Sequence, residues 1–166
     1  MLTPTVQLRR SRHVGKIPLS VVDNVSRSIA CFIRDCERVR YGAGHEIYGK
    51  PAGMVMTVAF ELEGQAFTAL NGGPQFTFTE AISFQVNCET QEEIDYYWER
   101  LSGGGDESAQ QCGWLKDQYG VSWQIVPTIL PALLKDPESA QSQRTMEAML
   151  RMKKLDIEEL KRAYAG

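Results

Sequence analysis

The stretch Cys112–Pro127, CGWLKDQYGVSWQIVP, leaves its backbone few choices. Gly113–Lys116 and Val121–Val126 each read as a strand, joined through Asp117, Gln118, Tyr119 and Gly120. An Asp-led turn closing on Gly suits a short hairpin loop, because Asp bonds its own backbone and Gly accepts a positive φ. Along the second strand Val121, Trp123 and Ile125 share one face, and Ser122, Gln124 and Val126 share the other. Pro127 has no N–H to give the ladder and ends it. One face is apolar and the other carries polar groups, so the functional question is what that second face does.

Upstream the pattern continues. Met54–Leu62 (MVMTVAFEL) and Ala66–Leu70 (AFTAL) read as a hairpin across Glu63-Gly64-Gln65, and Asn71-Gly72-Gly73-Pro74 breaks the chain. In Ala81–Cys88, Ile82, Phe84 and Val86 alternate with Ser83, Gln85 and Asn87. A helix follows. Thr90 with Glu93 is a capping box, and Ile94, Tyr97, Trp98 and Leu101 form an apolar stripe ended by Gly103. With the hairpin of 112–127 this makes a β-α-β-β unit, and an extra strand beyond the Asn71–Pro74 breaker is a further candidate. In the tail, Asp156 with Glu159 repeats the capping box and Leu155 with Leu160 has hydrophobic-staple spacing. Met146, Met149 and Leu150 form an apolar stripe expected to serve packing, against this chain or a second copy.

Composition removes several function classes. A chain of 166 residues with 43% hydrophobic content builds one domain or two small fused modules. The net charge of −3 gives no general cause to expect nucleic acid or a membrane surface as partner. No apolar run approaches the ~18 residues of a membrane span. Cys31, Cys36, Cys88 and Cys112 contain no CxxC pair, which favours free thiols in a reducing cytoplasm. The start is basic, with Arg9, Arg10, Arg12 and Lys16 before the first acid at Asp23. A transit peptide is a weaker reading, since positions up to Leu19 form no clean amphipathic face, and no aromatic is interleaved with these arginines to stack on bases.

Catalytic motifs are scarce. The histidines are His13 and His45, both outside the sharp strands; His45 beside Glu46 is the one candidate ligand pair. There is no GxSxG, and no Cys has an evident His partner. Gly103-Gly104-Gly105 follows a helix rather than a strand, so it reads as a connection and not as a phosphate or S-adenosylmethionine cradle. What remains is the polar stripe: Ser83, Gln85 and Asn87 on one strand, Ser122 and Gln124 on another. Such groups suit orienting a small ligand, and equally suit the solvated face of an antiparallel sheet.

The residues 51–101, PAGMVMTVAFELEGQAFTALNGGPQFTFTEAISFQVNCETQEEIDYYWERL, followed by CGWLKDQYGVSWQIVP, resemble the PhnB-like branch of the glyoxalase/bleomycin-resistance/extradiol-dioxygenase (vicinal oxygen chelate) superfamily. That branch is also labelled 3-demethylubiquinone-9 3-methyltransferase-like. The tail MEAMLRMKKLDIEELKRAYAG is similar to the family's ending, so the likeness spans about Tyr41–Gly166. It implies an α+β fold of paired βαβββ modules forming a cupped mixed sheet, C-terminal helices and a homodimer. It also implies that Asn71, Gln85, Trp114 and Gln124 line the cavity. Metal-using members take a His opening the second module and a Glu on its last strand; the corresponding places here are Ala81 or a neighbour, and Gln124. Residues 1–40 depart from the family pattern and read as a degraded or frame-shifted start of module one.

These readings give four segments: 1–40 atypical, 41–80 the remainder of the first module, 81–127 the second module and 128–166 a helical tail. The expected protein is cytoplasmic and binds a small organic ligand through Asn71, Ser83, Gln85, Trp114, Ser122 and Gln124. It is expected to have no cofactor or metal of its own and no nucleic-acid or membrane partner. No catalytic residue is assigned. The alternatives are a divalent-metal enzyme of lyase, isomerase or dioxygenase type using His45 and Glu46 or a partner subunit, a methyltransferase as the family label has it, and an interaction-only role.

Overall fold

The structure is a computed structural model that describes residues 5–8, 36–43, 50–62, 65–71 and 77–166. The expectations for 9–35, for His45 and Glu46, and for the glycines and proline of the 71–74 breaker lie outside the described residues. Two compact units divide the chain, residues 1–9 with 78–166 and residues 10–77. Between them they hold two small sheets and a set of C-terminal helices, a mixed α+β architecture.

Within 10–77, β2 (Cys36–Arg40), β3 (Val55–Leu62) and β4 (Gln65–Leu70) form an antiparallel sheet in the order β2-β3-β4. The expected hairpin is β3 with β4, paired from Thr57–Leu70 to Leu62–Gln65. Alternation buries Val58 and Phe60, and Phe60 stacks on Phe67 at 5.5 Å between ring centroids. The open end of the hairpin is tied by Asn71. Its backbone N–H donates to the Met56 carbonyl (2.8 Å), its Nδ2 to the Val55 carbonyl (3.2 Å), and its carbonyl accepts from the Tyr41 hydroxyl (2.8 Å).

The other unit carries the second sheet, built from β1 (Thr5–Leu8), β5 (Ser83–Cys88), β6 (Trp114–Lys116) and β7 (Ser122–Pro127) in the order β1-β5-β7-β6. β1 and β7 run parallel to β5, and β6 runs antiparallel to β7. Between residues 83 and 127 the chain supplies a β-α-β-β unit, and the sheet's fourth strand is the N-terminal β1. No strand lies among 77–82; Ile82, expected beside Phe84 and Val86, sits in a turn before β5 and is 61% exposed.

Helix α1 (Gln91–Ser102) covers the apolar face. Thr90 Oγ1 accepts from the Glu93 amide, and Glu93 Oε2 accepts from the Glu89 amide, one residue earlier than in an ideal capping box. Ile94, Tyr97 and Leu101 are buried, as are Val86, Leu115, Trp123 and Ile125 beneath. The glycine run is a connection: Gly104 takes φ +75°, and a Cβ on Gly105 would come within 1.9 Å of the Lys116 carbonyl oxygen. Gly113 takes φ +85°, and its carbonyl accepts from the Ile125 amide.

The hairpin β6–β7 is organised by Asp117, which is buried. Its Oδ1 accepts from the Tyr119 and Val121 amides, and its Oδ2 accepts from Trp123 Nε1 at 2.9 Å. The sequence-predicted turn thus closes around a carboxylate, with Gly120 at φ +83°.

Three helices complete the unit: α2 (Leu130–Leu133), α3 (Ala140–Arg151) and α4 (Ile157–Ala165). The staple is formed. Leu155 and Leu160 are fully buried with Leu130 and Leu133, and Val126 of β7 packs against this cluster. Gln91 clamps the start of α4, giving Nε2 to the Leu155 carbonyl and taking the Ile157 amide on Oε1. The stripe of Met146, Met149 and Leu150 packs against this chain only in part. Met149 touches the core, but Met146 is 39% and Leu150 53% exposed, while Ser142, Thr145 and Ala148 face inward. The small side chains win because their hydroxyls are satisfied locally, Ser142 on the Leu133 carbonyl and Thr145 on the Gln141 carbonyl.

Asp117→Ala leaves an indole and two amide N–H groups without their acceptor and should cost about 3 kcal/mol or more in urea unfolding. Gly105→Ala should cost at least as much, because its clash is with backbone rather than with a side chain that can turn away.

Candidate functional site

The face of the four-stranded sheet opposite α1 is set by strand register. Gln85 lies opposite Gln124, and Gln124 opposite Trp114, so one row crosses β5, β7 and β6. One step back along β7, Ser122 lies opposite Lys116, and Ser83 precedes Phe84, the partner of Trp123. Alternation therefore brings Ser83, Gln85, Trp114, Ser122 and Gln124 together on one face, as expected, and adds Lys116. Asn71 belongs to the other unit, where its amide and backbone close the β3–β4 hairpin. His45 and Glu46 lie outside the described residues.

Burial and bonding on this face are uneven. Ser83 is 0% and Ser122 1% exposed, whereas Gln85, Asn87, Gln124, Trp114 and Lys116 are half-buried. Gln124 Nε2 donates to Ser83 Oγ at 2.8 Å, and Gln85 Nε2 donates to Asn87 Oδ1 at 2.7 Å. The Ser122 hydroxyl finds no partner among the described residues. Lys116 Nζ pairs with Glu80 Oε1, and the Lys116 ammonium holds the Glu80 carboxyl below its ordinary range. Lys116, Glu80 and the structural task of Asp117 were not singled out from the sequence. The alternation of Trp114 with Lys116 in β6 was the signal for the first.

Amides and hydroxyls can orient a ligand by hydrogen bonds but do not exchange protons near neutral pH. The described residues contain no group of three or more His, Cys, Asp or Glu able to hold a metal. Gln124, where the resemblance sets a glutamate ligand, is a neutral amide whose nitrogen donates to Ser83, so that position brings a neutral oxygen and no negative charge. A methyl-donor cofactor does not fit Gly103–Gly105, since the Lys116 backbone fills the space that Gly105 leaves. Cys88 and Cys112 are free thiols. Burial, reinforced by the Glu93 charge, pushes the Cys88 thiol up to about 12, so it offers no thiolate nucleophile near neutral pH.

Over residues 35–126 the sequence matches the family model described as 3-demethylubiquinone-9 3-methyltransferase. The chain belongs to that family. No curated protein matches it. A solved structure of a PhnB protein from Bacillus cereus shares 28% identity with it, covering 76% of this chain and 98% of that one at a TM-score of 0.49.

Removing the unpartnered hydroxyl should not harm the fold. Calorimetric melting of Ser122→Ala is expected to match the parent or to exceed it by up to about 1 kcal/mol, whereas Ser83→Ala, which strips Gln124 of its acceptor, is expected to lose about 1 kcal/mol.

Proposed function

We propose that the polar face of the four-stranded sheet binds a small organic ligand, with no metal of the protein's own. The observation that carries this reading is the register row of Gln85, Gln124 and Trp114, half-buried and backed by the sheltered hydroxyls of Ser83 and Ser122. A merely solvated face would expose such amides freely. Here Gln85 and Gln124 are each fixed by a hydrogen bond within the face, which presets the amide groups they offer a ligand. Trp114 at the end of the row supplies an apolar wall suited to a ring or hydrocarbon portion.

No helix among the described residues is long and apolar enough to cross a membrane. The cytoplasmic setting, which rests on the unpaired cysteine pattern, and the homodimer, which rests on the family resemblance, belong to the proposal; light scattering after gel filtration tests the dimer. Gln85 and Gln124 hold and orient the ligand in this reading, Ser83 positions Gln124, and no step of bond making is assigned to any of them.

A thermal-shift screen with organic acids, quinones and thiols should yield compounds that raise the melting temperature, because a ligand that binds only the folded state stabilises it. Gln124→Leu should abolish that shift while its own melting stays within a few degrees of the parent; an undiminished shift removes Gln124 from the site. Stoichiometric iron, zinc, nickel or manganese in protein purified without chelators would favour the metal-enzyme alternative instead.

A further inference from the structure

The row beside the amides has a different chemistry. Ser122 and Lys116 are directly opposed across β7 and β6, a relation that brings β-carbons to about 4.5–5.5 Å and lets their side chains converge. Ser83 stands on the other side of Ser122, on β5. Its oxygen accepts from Gln124, and its own O–H is left to give. Lys116 is donor-only, and its side chain as a whole is 24% exposed. Between them the Ser122 hydroxyl is 1% exposed and unpartnered, a state that carries a desolvation penalty until an acceptor arrives.

Resting on the ligand-binding reading of this face, we propose that Ser122, Ser83 and Lys116 form an oxyanion subsite that takes the carboxylate or sulfonate group of an organic ligand, with Glu80 as the carboxylate it displaces. Glu80 already shows what Lys116 accepts. It reaches the ammonium from the turn before β5 with a side chain 62% exposed, so it can swing back to water at little cost. The backbone of Lys116 is held. Its strand is bonded to β7, and the Gly105 backbone lies close against its carbonyl, so the backbone from which the side chain extends is fixed. A cation would meet the ammonium's repulsion, and a neutral ligand has no charge with which to replace Glu80. An anion satisfies the orphan hydroxyl and the ammonium together while its organic portion extends along the adjoining row toward Gln124 and Trp114.

Titration calorimetry and tryptophan fluorescence with benzoate, benzenesulfonate and the neutral isostere benzamide test this. Benzoate or benzenesulfonate should bind on the order of tenfold more tightly than benzamide, in line with hydrogen bonds to a charged group, and added salt should narrow the gap. Which of the two anions binds better tells a planar from a tetrahedral oxyanion. Lys116→Met and Ser122→Ala should each weaken anion binding about tenfold, leave benzamide unchanged and melt close to the parent. Glu80→Gln, which removes the competing carboxylate, should tighten the anions by about twofold to fivefold. Equal affinity for benzoate and benzamide, or no response to Glu80→Gln, overturns the subsite and leaves the polar face as a binder of neutral ligands. If none of the three probes binds, and Gln124→Leu changes nothing in the wider thermal-shift screen, the subsite falls together with the reading it rests on.

Discussion

The acceptor capacity of one buried carboxylate organises this structure. Asp117 takes two backbone amides of its own turn and the indole of Trp123, so the loop geometry and the placement of the largest buried side chain are decided by the same group. Trp123 then fixes β7 against β5, where its ring meets Phe84 at 5.3 Å between centroids. The face that α1 covers is settled by that contact. So, by the alternation of a strand, is the face it does not cover.

That second face owes its character to what the first one excludes. Once Trp123 and Ile125 point toward α1, Ser122 and Gln124 must point away, and cross-strand pairing lines them up with Ser83, Gln85, Trp114 and Lys116. At one end Val126 closes onto the leucine cluster of the C-terminal helices. At the other stands the Lys116–Glu80 pair. The polar groups lie between an apolar floor and a charged rim.

The parts of this design that depend on local chemistry were legible in the sequence. Thr90 and Asp156 cap their helices, Leu155 meets Leu160, and the Asp117–Gly120 turn forms where the residues demand it. Alternation likewise assigned the two faces of β7 correctly. What the pattern did not carry depends on tertiary context. The 3.6-residue spacing of Met146, Met149 and Leu150 could not reveal that Ser142 and Thr145 would satisfy their hydroxyls and turn inward. Ile82 fits the alternation of β5, yet the chain turns before reaching it. Of the site, the amides and serines could be named from one strand at a time. The pairing of Ser122 with Lys116 and of Lys116 with Glu80 required knowing which strands are neighbours, and in which direction they run.

The N-terminal strand brings a kinetic consequence. β1 lies parallel to β5, with Thr5 opposite Ser83, although nearly half the chain separates them. Parallel pairing at such separation cannot nucleate by a tight turn, so the entropy of closing a long loop precedes the reward of its hydrogen bonds. Until that closure happens, β5 is a bare margin of the sheet, with backbone donors and acceptors open to any extended segment nearby. During synthesis this strand is made first and its partner much later, so the nascent chain holds an unmatched half-ladder until β5 emerges.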